Sequence, residues 1–179
     1  MATSGVVNGV YRATLRDGAT VSLRQLGSSD IDAVTALHGT LSERELYLRF
    51  FTTHPMSLNV LADKLTEHDG RHYALGAFES GKLIGMANYS MCGKPATADV
   101  AVVVAHKDHL RGVGTVLLRR LAHISRDNGI RHLVADVLAT NAVMFSVLHD
   151  AGLHPQHKNY ACGVVHLDID LNEPSLESD

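Results

Sequence analysis

Residues 111–114 read Arg-Gly-Val-Gly, and they run straight into the amphipathic stretch "TVLLRRLAHISRDNG". Glycines at 112 and 114 let a backbone approach a bulky anion closely. The first turn of a helix adds unpaired N–H groups and the positive end of its dipole. The chemistry on offer is therefore phosphate binding. A triphosphate loop needs GxxxxGK followed by Ser or Thr, and no lysine follows Gly114. A dinucleotide fingerprint needs a third glycine soon after the first strand, and Leu117 stands there, after the fourth predicted strand. What remains is a loop that seats a pyrophosphate over Arg111, Gly112, Val113, Gly114 and Thr115; the alternative is a plain turn carrying solvated arginines.

Charge supports the first reading. Between residues 106 and 131 there are six basic residues and two acids, a local +4, and the rest of the chain carries 10 basic and 17 acidic residues, a net −7. A small anionic cofactor fits one basic face on an acidic protein better than nucleic acid does. The acid Asp99 lies in the β-branched run "TADVAVVVAH", where a carboxylate is out of place without a task. The twelve histidines form no HExxH pattern, so no metal site is expected, and Cys92 and Cys162 suit a reducing cytoplasm without a disulfide.

The elements that must position these residues follow from periodicity. "TVSLRQL" alternates as a strand, and Ile31, Val34 and Leu37 share a helical face behind an N-cap at Ser28 or Ser29. Ser42 and Glu45 form a capping box for a second helix, and Leu58, Leu61, Ala62 and Leu65 mark a third. A hairpin turns at Ser80-Gly81, and residues 97–106 read as a strand buried on both faces. Val113, Leu117, Leu121 and Ile124 stripe a long helix ending at Asn128-Gly129. "RHLVADVL" reads as a buried strand, and Met144, Val147, Leu148 and Ala151 face inward from a helix stopped by Gly152, ahead of a final hairpin. The order β-α-α-α-β-β-β-α-β-α-β-β predicts an α/β (α+β) domain: a mixed, mostly antiparallel sheet of about 6–7 strands with about 4–5 helices on its faces.

Residues 1–13 are expected as a flexible arm, 14–171 as a single domain and 172–179 as an acidic tail. The chain has 179 residues, a formal charge of −3 and a mean hydropathy near zero. It shows no secretory leader and no run long enough for a membrane span, so a cytoplasmic protein is expected.

Over about residues 14–170 the pattern resembles the GNAT acetyltransferase superfamily. His109-Leu110-Arg111-Gly112-Val113-Gly114 looks like its Gln/Arg-x-x-Gly-x-Gly/Ala signature, with His109 where glutamine or arginine is usual. "ATNAVMFSVLHDAGL" looks like its second signature, with Asn141 at the cofactor-contacting position. "LRDG" and "SERELYLRFF" are similar to the GNAT domain of bacterial protein lysine acetyltransferases. Those enzymes often carry a fused regulatory module, and none is expected here.

The resemblance implies acetyl-CoA as cosubstrate, with its pyrophosphate on the glycine loop and its pantetheine arm along the backbone of Val102, Val103 and Val104. It implies direct transfer to a primary amine, with Asp99, ten residues before His109, in the place of the general base. Partial burial of Asp99 is expected to raise its pKa. Leu148 stands where many relatives carry a tyrosine acid, so the thiolate is expected to leave without one. The acceptor implied is a protein lysine; a small amine, or a non-catalytic CoA-binding regulatory module, are the alternatives. No nucleic-acid or membrane partner is expected, and oligomerisation stays open.

Overall fold

In a computed structural model, which describes residues 6–7, 9–50, 57–67 and 69–172, one mixed sheet carries helices on both faces. Its nine strands among the described residues are β1 (Val6–Val7), β2 (Val10–Thr14), β3 (Thr20–Gln25), β4 (His72–Glu79), β5 (Lys82–Met91), β6 (Thr97–Val104), β7 (His132–Leu138), β8 (His157–Ala161) and β9 (Val164–Asp170). The helices are α1 (Ile31–Gly39), α2 (Glu43–Phe50), α3 (Leu58–Thr66), α4 (Val113–Asp127) and α5 (Ala142–Asp150). Across the sheet the order is β1-β2-β3-β4-β5-β6-β7-β9-β8, and β6–β7 is its parallel pair.

The period of two along each strand sends successive side chains to opposite faces. Ala98 and Val100 of β6 join α4 and α5 in the larger core, with Leu117, Leu121 and Leu148. Val103 of the same strand faces the other way, into the core built with α1 and α3 around Val34, Leu37 and Ala62. The stripe predicted for α4 is found: Val113, Leu117 and Leu121 are essentially fully buried, each worth roughly 1.5–3 kcal/mol. Gly85 on β5 explains how closely this helix lies on the sheet. A Cβ there would sit 2.9 Å from Val113 Cγ1 and 3.1 Å from the Val103 carbonyl oxygen. The first turn of α4 is therefore pressed onto the middle of the sheet, beside β6.

Several turns form where their residues predict. Ser80 and Gly81 both take positive φ (48° and 79°), the type I′ geometry of a two-residue hairpin. Gly129 (φ 81°) follows the end of α4 and Gly152 (φ 75°) the end of α5.

Three expectations need correction. The sheet has nine strands rather than six or seven, because the segment expected as a flexible arm over 1–13 contains β1 and most of β2. Tyr11–Thr14 pairs antiparallel with Thr20–Leu23, which anchors that segment to the sheet edge. α1 takes its N-cap at Asp30, behind a 3-10 turn over Ser28–Asp30, with no cap from Ser28 or Ser29. Asp30 is committed instead to Arg24, at 2.7 and 2.9 Å, and to the Gly27 N–H. β7 alternates in burial rather than being covered on both faces. Of the tail expected over 172–179, all but Asn172 lies outside the described residues.

Candidate active site

β6 and β7 run side by side for three residues and then part. Their register pairs Thr97 with His132, Ala98 with Leu133 and Asp99 with Val134. Beyond that, β6 continues to Val104 alongside β5, while β7 stays with β9 to Leu138. The result is a fork in the middle of the sheet, closed at Asp99 and open toward Val104.

Alternation decides which backbone groups line the fork. The Thr97 carbonyl accepts the Cys92 N–H at 3.0 Å and the Ala105 N–H reaches the Ile84 carbonyl at 2.9 Å, so odd-numbered residues of β6 bond to β5. Residues of the other parity direct their N–H and C=O away from β5. Val102 and Val104 thus present backbone groups to the fork. Val103 does not: it is paired with Met86, which removes it from the three valines expected to hold a ligand's arm.

At the open end of the fork sits the start of α4. Leu110 (φ 63°) and Gly112 (φ 89°) are both left-handed; glycine is the residue that tolerates this without strain. The first helical bond runs from the Val116 N–H to the Gly112 carbonyl at 3.1 Å. The N–H groups of Val113, Gly114 and Thr115 precede it and so have no partner within the helix. No side chain among the described residues caps this terminus. The side chains of Val113 and Thr115 are buried, so both offer backbone alone. Gly114 is also buried, and a Cβ on it would lie 3.2 Å from Val147 of α5 and 3.7 Å from Val104. Amides at the head of a 15-residue helix, next to a strand edge that β7 leaves after Asp99, fit a phosphate-bearing molecule with an extended arm.

Arg111 departs from expectation. Its guanidinium is held by Asp17 at 2.5 Å, Glu79 at 2.6 and 3.1 Å, and Asp108 at 2.7 Å. Hydrogen bonds that it donates to Glu79, then to Asp17 and Asp108, raise its pKa further above its ordinary value. The same pairs hold Asp17 and Glu79 below the usual carboxylate range. Arg111 is therefore a structural hub that fixes the loop; its charge is spent on protein acids, and the local positive charge counted in the sequence is reduced accordingly.

His109 points its Nε2 at the Val104 carbonyl, 3.0 Å away, and lies 3.4 Å from Glu45 Oε1. Its imidazole thus occupies one of the backbone groups at the mouth of the fork. Asn141 is the N-cap of α5, its Oδ1 accepting the Met144 N–H at 3.2 Å. Asp99 is exposed, so the partial burial expected for it is not found. By alternation it shares the sheet face of Val103, toward α1 and α3, at the closed end of the fork. Leu148 is buried in the core and has no proton to give. Both cysteines are free thiols.

Sequence reasoning passed over Glu45 and His106 as site residues. His106 Nδ1 lies 3.0 Å from Glu45 Oε1, and its ring centroid is 5.2 Å from that of His109. The His-x-x-His spacing of 106 and 109 was the available signal; Glu45 had been read as a capping residue, a role it also performs.

Comparison with known proteins places this geometry among acetyltransferases. The profile of the Acetyltransferase (GNAT) family matches residues 40–152. An acetyltransferase of Pseudomonas aeruginosa is 26% identical over 136 residues, 73% of each chain. The crystal structure of the GNAT domain of S. lividans PAT is 29% identical, covers 93% of this chain and 99% of its own, and superposes with a TM-score of 0.82. The structure of yncA from Salmonella typhimurium, solved with its cofactor acetyl-CoA, shares the fold at 19% identity and a TM-score of 0.70, covering 86% of this chain and 95% of its own.

Proposed function

The chain belongs to the GNAT acetyltransferase family, and on that premise we propose that it moves an acetyl group from acetyl-CoA directly to a primary amine, a protein lysine side chain being the acceptor. The observation that carries the proposal is the fork between β6 and β7 opening onto the uncapped first turn of α4. A pyrophosphate fits the N–H groups of Val113, Gly114 and Thr115, and the pantetheine arm fits the strand-like edge offered by Val102 and the Val104 N–H, the Val104 carbonyl being engaged by His109. Arg111 and Gly112 shape the loop, and Asn141, at the head of α5, adds a side-chain amide to the same ligand.

The chemistry then needs an oxyanion donor, a base and a leaving thiolate. A backbone N–H in the fork polarises the thioester carbonyl. Asp99, at the closed end, takes a proton from the acceptor's ammonium, directly or through one water, and so frees the lone pair for attack. Its exposure leaves room for such a water, and its sheet face sets the side from which the acceptor enters, past α1 and α3. The neutral amine attacks the thioester carbonyl, the C–S bond breaks, the nitrogen sheds its second proton to solvent, and the CoA thiolate takes its proton from solvent, because Leu148 supplies none. The preference for a protein lysine rests on the resemblance of "LRDG" and "SERELYLRFF" and on the similarity to the S. lividans domain.

Two measurements test this together: calorimetric titration with acetyl-CoA, and thiol release over a panel of lysine-containing proteins, polyamines and amino acids. Saturable binding with release driven by protein lysines is expected. Release with small amines alone would move the acceptor class, binding without release over any acceptor would indicate a regulatory module, and no binding would overturn the proposal.

A further inference from the structure

Glu45, His106 and His109 form a cluster that the transfer chemistry leaves unused as a set. Their ligand-capable atoms all lie within 4.8 Å of one another. His106 Nδ1 and His109 Nε2 are 3.0 and 3.4 Å from the same oxygen, Glu45 Oε1. A tetrahedral Zn²⁺ with bonds of 2.0–2.1 Å sets its ligand atoms about 3.3 Å apart. Two edges of that tetrahedron are therefore already present, and the third needs a closure of at most about 1.5 Å from the 4.8 Å limit.

The carboxylate is aimed from behind. Glu45 Oε2 accepts the Ser42 backbone N–H at 2.7 Å, and Ser42 Oγ accepts the Glu45 N–H at 3.2 Å, which leaves Oε1 turned to the imidazoles. Such outer hydrogen bonds are what hold metal ligands in place. The Glu45 side chain is 15% exposed and that of His106 78%, so the cluster combines a fixed wall with an open entrance.

We propose that Glu45, His106 and His109 bind a divalent transition-metal ion, with Zn²⁺ the best match, and so tie α2 to the segment leading into α4. Two imidazoles and one carboxylate with a fourth position open to solvent match zinc; magnesium and calcium call for oxygen donors throughout. On binding, His106 Nδ1 and His109 Nε2 give up their protons, either to the other ring nitrogen or to solvent. His109 then releases the Val104 carbonyl, so metal occupancy and the state of the fork are linked through one side chain.

The test uses the full chain stripped with a chelator. Zn²⁺ is titrated in competition with a chromophoric chelator, and Co²⁺ is added separately to read the visible absorption of a four-coordinate site. His106→Ala and Glu45→Gln probe the cluster, and His166→Ala, which touches Asp136 elsewhere, controls for adventitious histidine binding. Thermal melts verify that each variant is folded. One equivalent is expected for the wild type and for His166→Ala, with affinity down at least about 100-fold in the two cluster variants. Binding that survives both cluster substitutions, binding lost in His166→Ala, or no saturable binding to the wild type would each overturn the assignment.

Discussion

Asn141 caps α5, and the proposed function gives it a second role as a contact to acetyl-CoA; the energies of the two can be separated. As the N-cap of α5 its Oδ1 accepts the Met144 N–H at 3.2 Å. Replacing such a cap with alanine costs about 1 kcal/mol, which in a chain of this length lowers Tm by roughly 2–4 °C. As a contact to acetyl-CoA, its amide would supply one neutral hydrogen bond worth about 0.5–1.5 kcal/mol, or about 2- to 12-fold in KM. Asn141→Ala should show both losses. Asn141→Asp splits them: a carboxylate caps the helix equally well and suits its dipole, so Tm should hold. The same variant lacks the Nδ2 donor and sets a negative charge beside an anionic ligand, so the KM for acetyl-CoA should rise at least as far as in the alanine variant. The assays are thermal melts and steady-state thiol release with acetyl-CoA varied at saturating acceptor. An Asn141→Asp enzyme with wild-type KM would refute the cofactor contact and leave Asn141 as a cap alone.

Asp99→Asn should lower kcat by roughly 10²–10⁴ at neutral pH with acetyl-CoA affinity near wild type, and the deficit should shrink as pH rises and more amine arrives deprotonated; Asp99→Glu should retain activity. A wild-type pH–rate profile for Asp99→Asn would remove it from the role of base. Gly112→Ala forces a left-handed alanine, with its Cβ 3.3 Å from Arg16 Cγ, at a cost of roughly 1–2 kcal/mol; calorimetry should show weaker acetyl-CoA binding together with a lower Tm, and unchanged binding would argue against the loop geometry. Arg111→Met tests the ion-pair hub through acid unfolding. Asp17 and Glu79 have depressed pKa values in the folded state, so their contribution is complete above the ordinary carboxylate range and is lost as pH falls below about 4. The stability gap between wild type and Arg111→Met should therefore be largest near neutrality and close toward pH 2, and a gap constant over that range would contradict the reading.

What the sequence revealed was local. The stripe of α4, the Ser42–Glu45 capping box and the stops at Gly129 and Gly152 are encoded within a turn or two of chain, and each is found. The β-branched run of β6 was visible too. Contacts made across long separations were not. Nothing near Arg111 announces Asp17 or Glu79, so its charge was assigned to a ligand. The parity of β6, which turns Val103 away from the fork, depends on its register with β5. The segment over 1–13 looked unstructured because its partner, β3, lies beyond the Asp17-Gly18 turn, and β2 becomes a strand by pairing with it.

The Arg111 hub also bears on the order in which the molecule assembles. Its contact with Asp17 spans 94 residues and that with Glu79 spans 32, while the Arg16 N–H bonds the Arg111 carbonyl at 3.0 Å. Helix α4 is a local structure and can form on the sub-microsecond to microsecond scale of helix growth. The left-handed backbone of Leu110 and Gly112 is held by partners that arrive only after long loops have closed. Refolding followed by helical signal should therefore run ahead of refolding followed by capture of acetyl-CoA, because the amides exist before they are aimed.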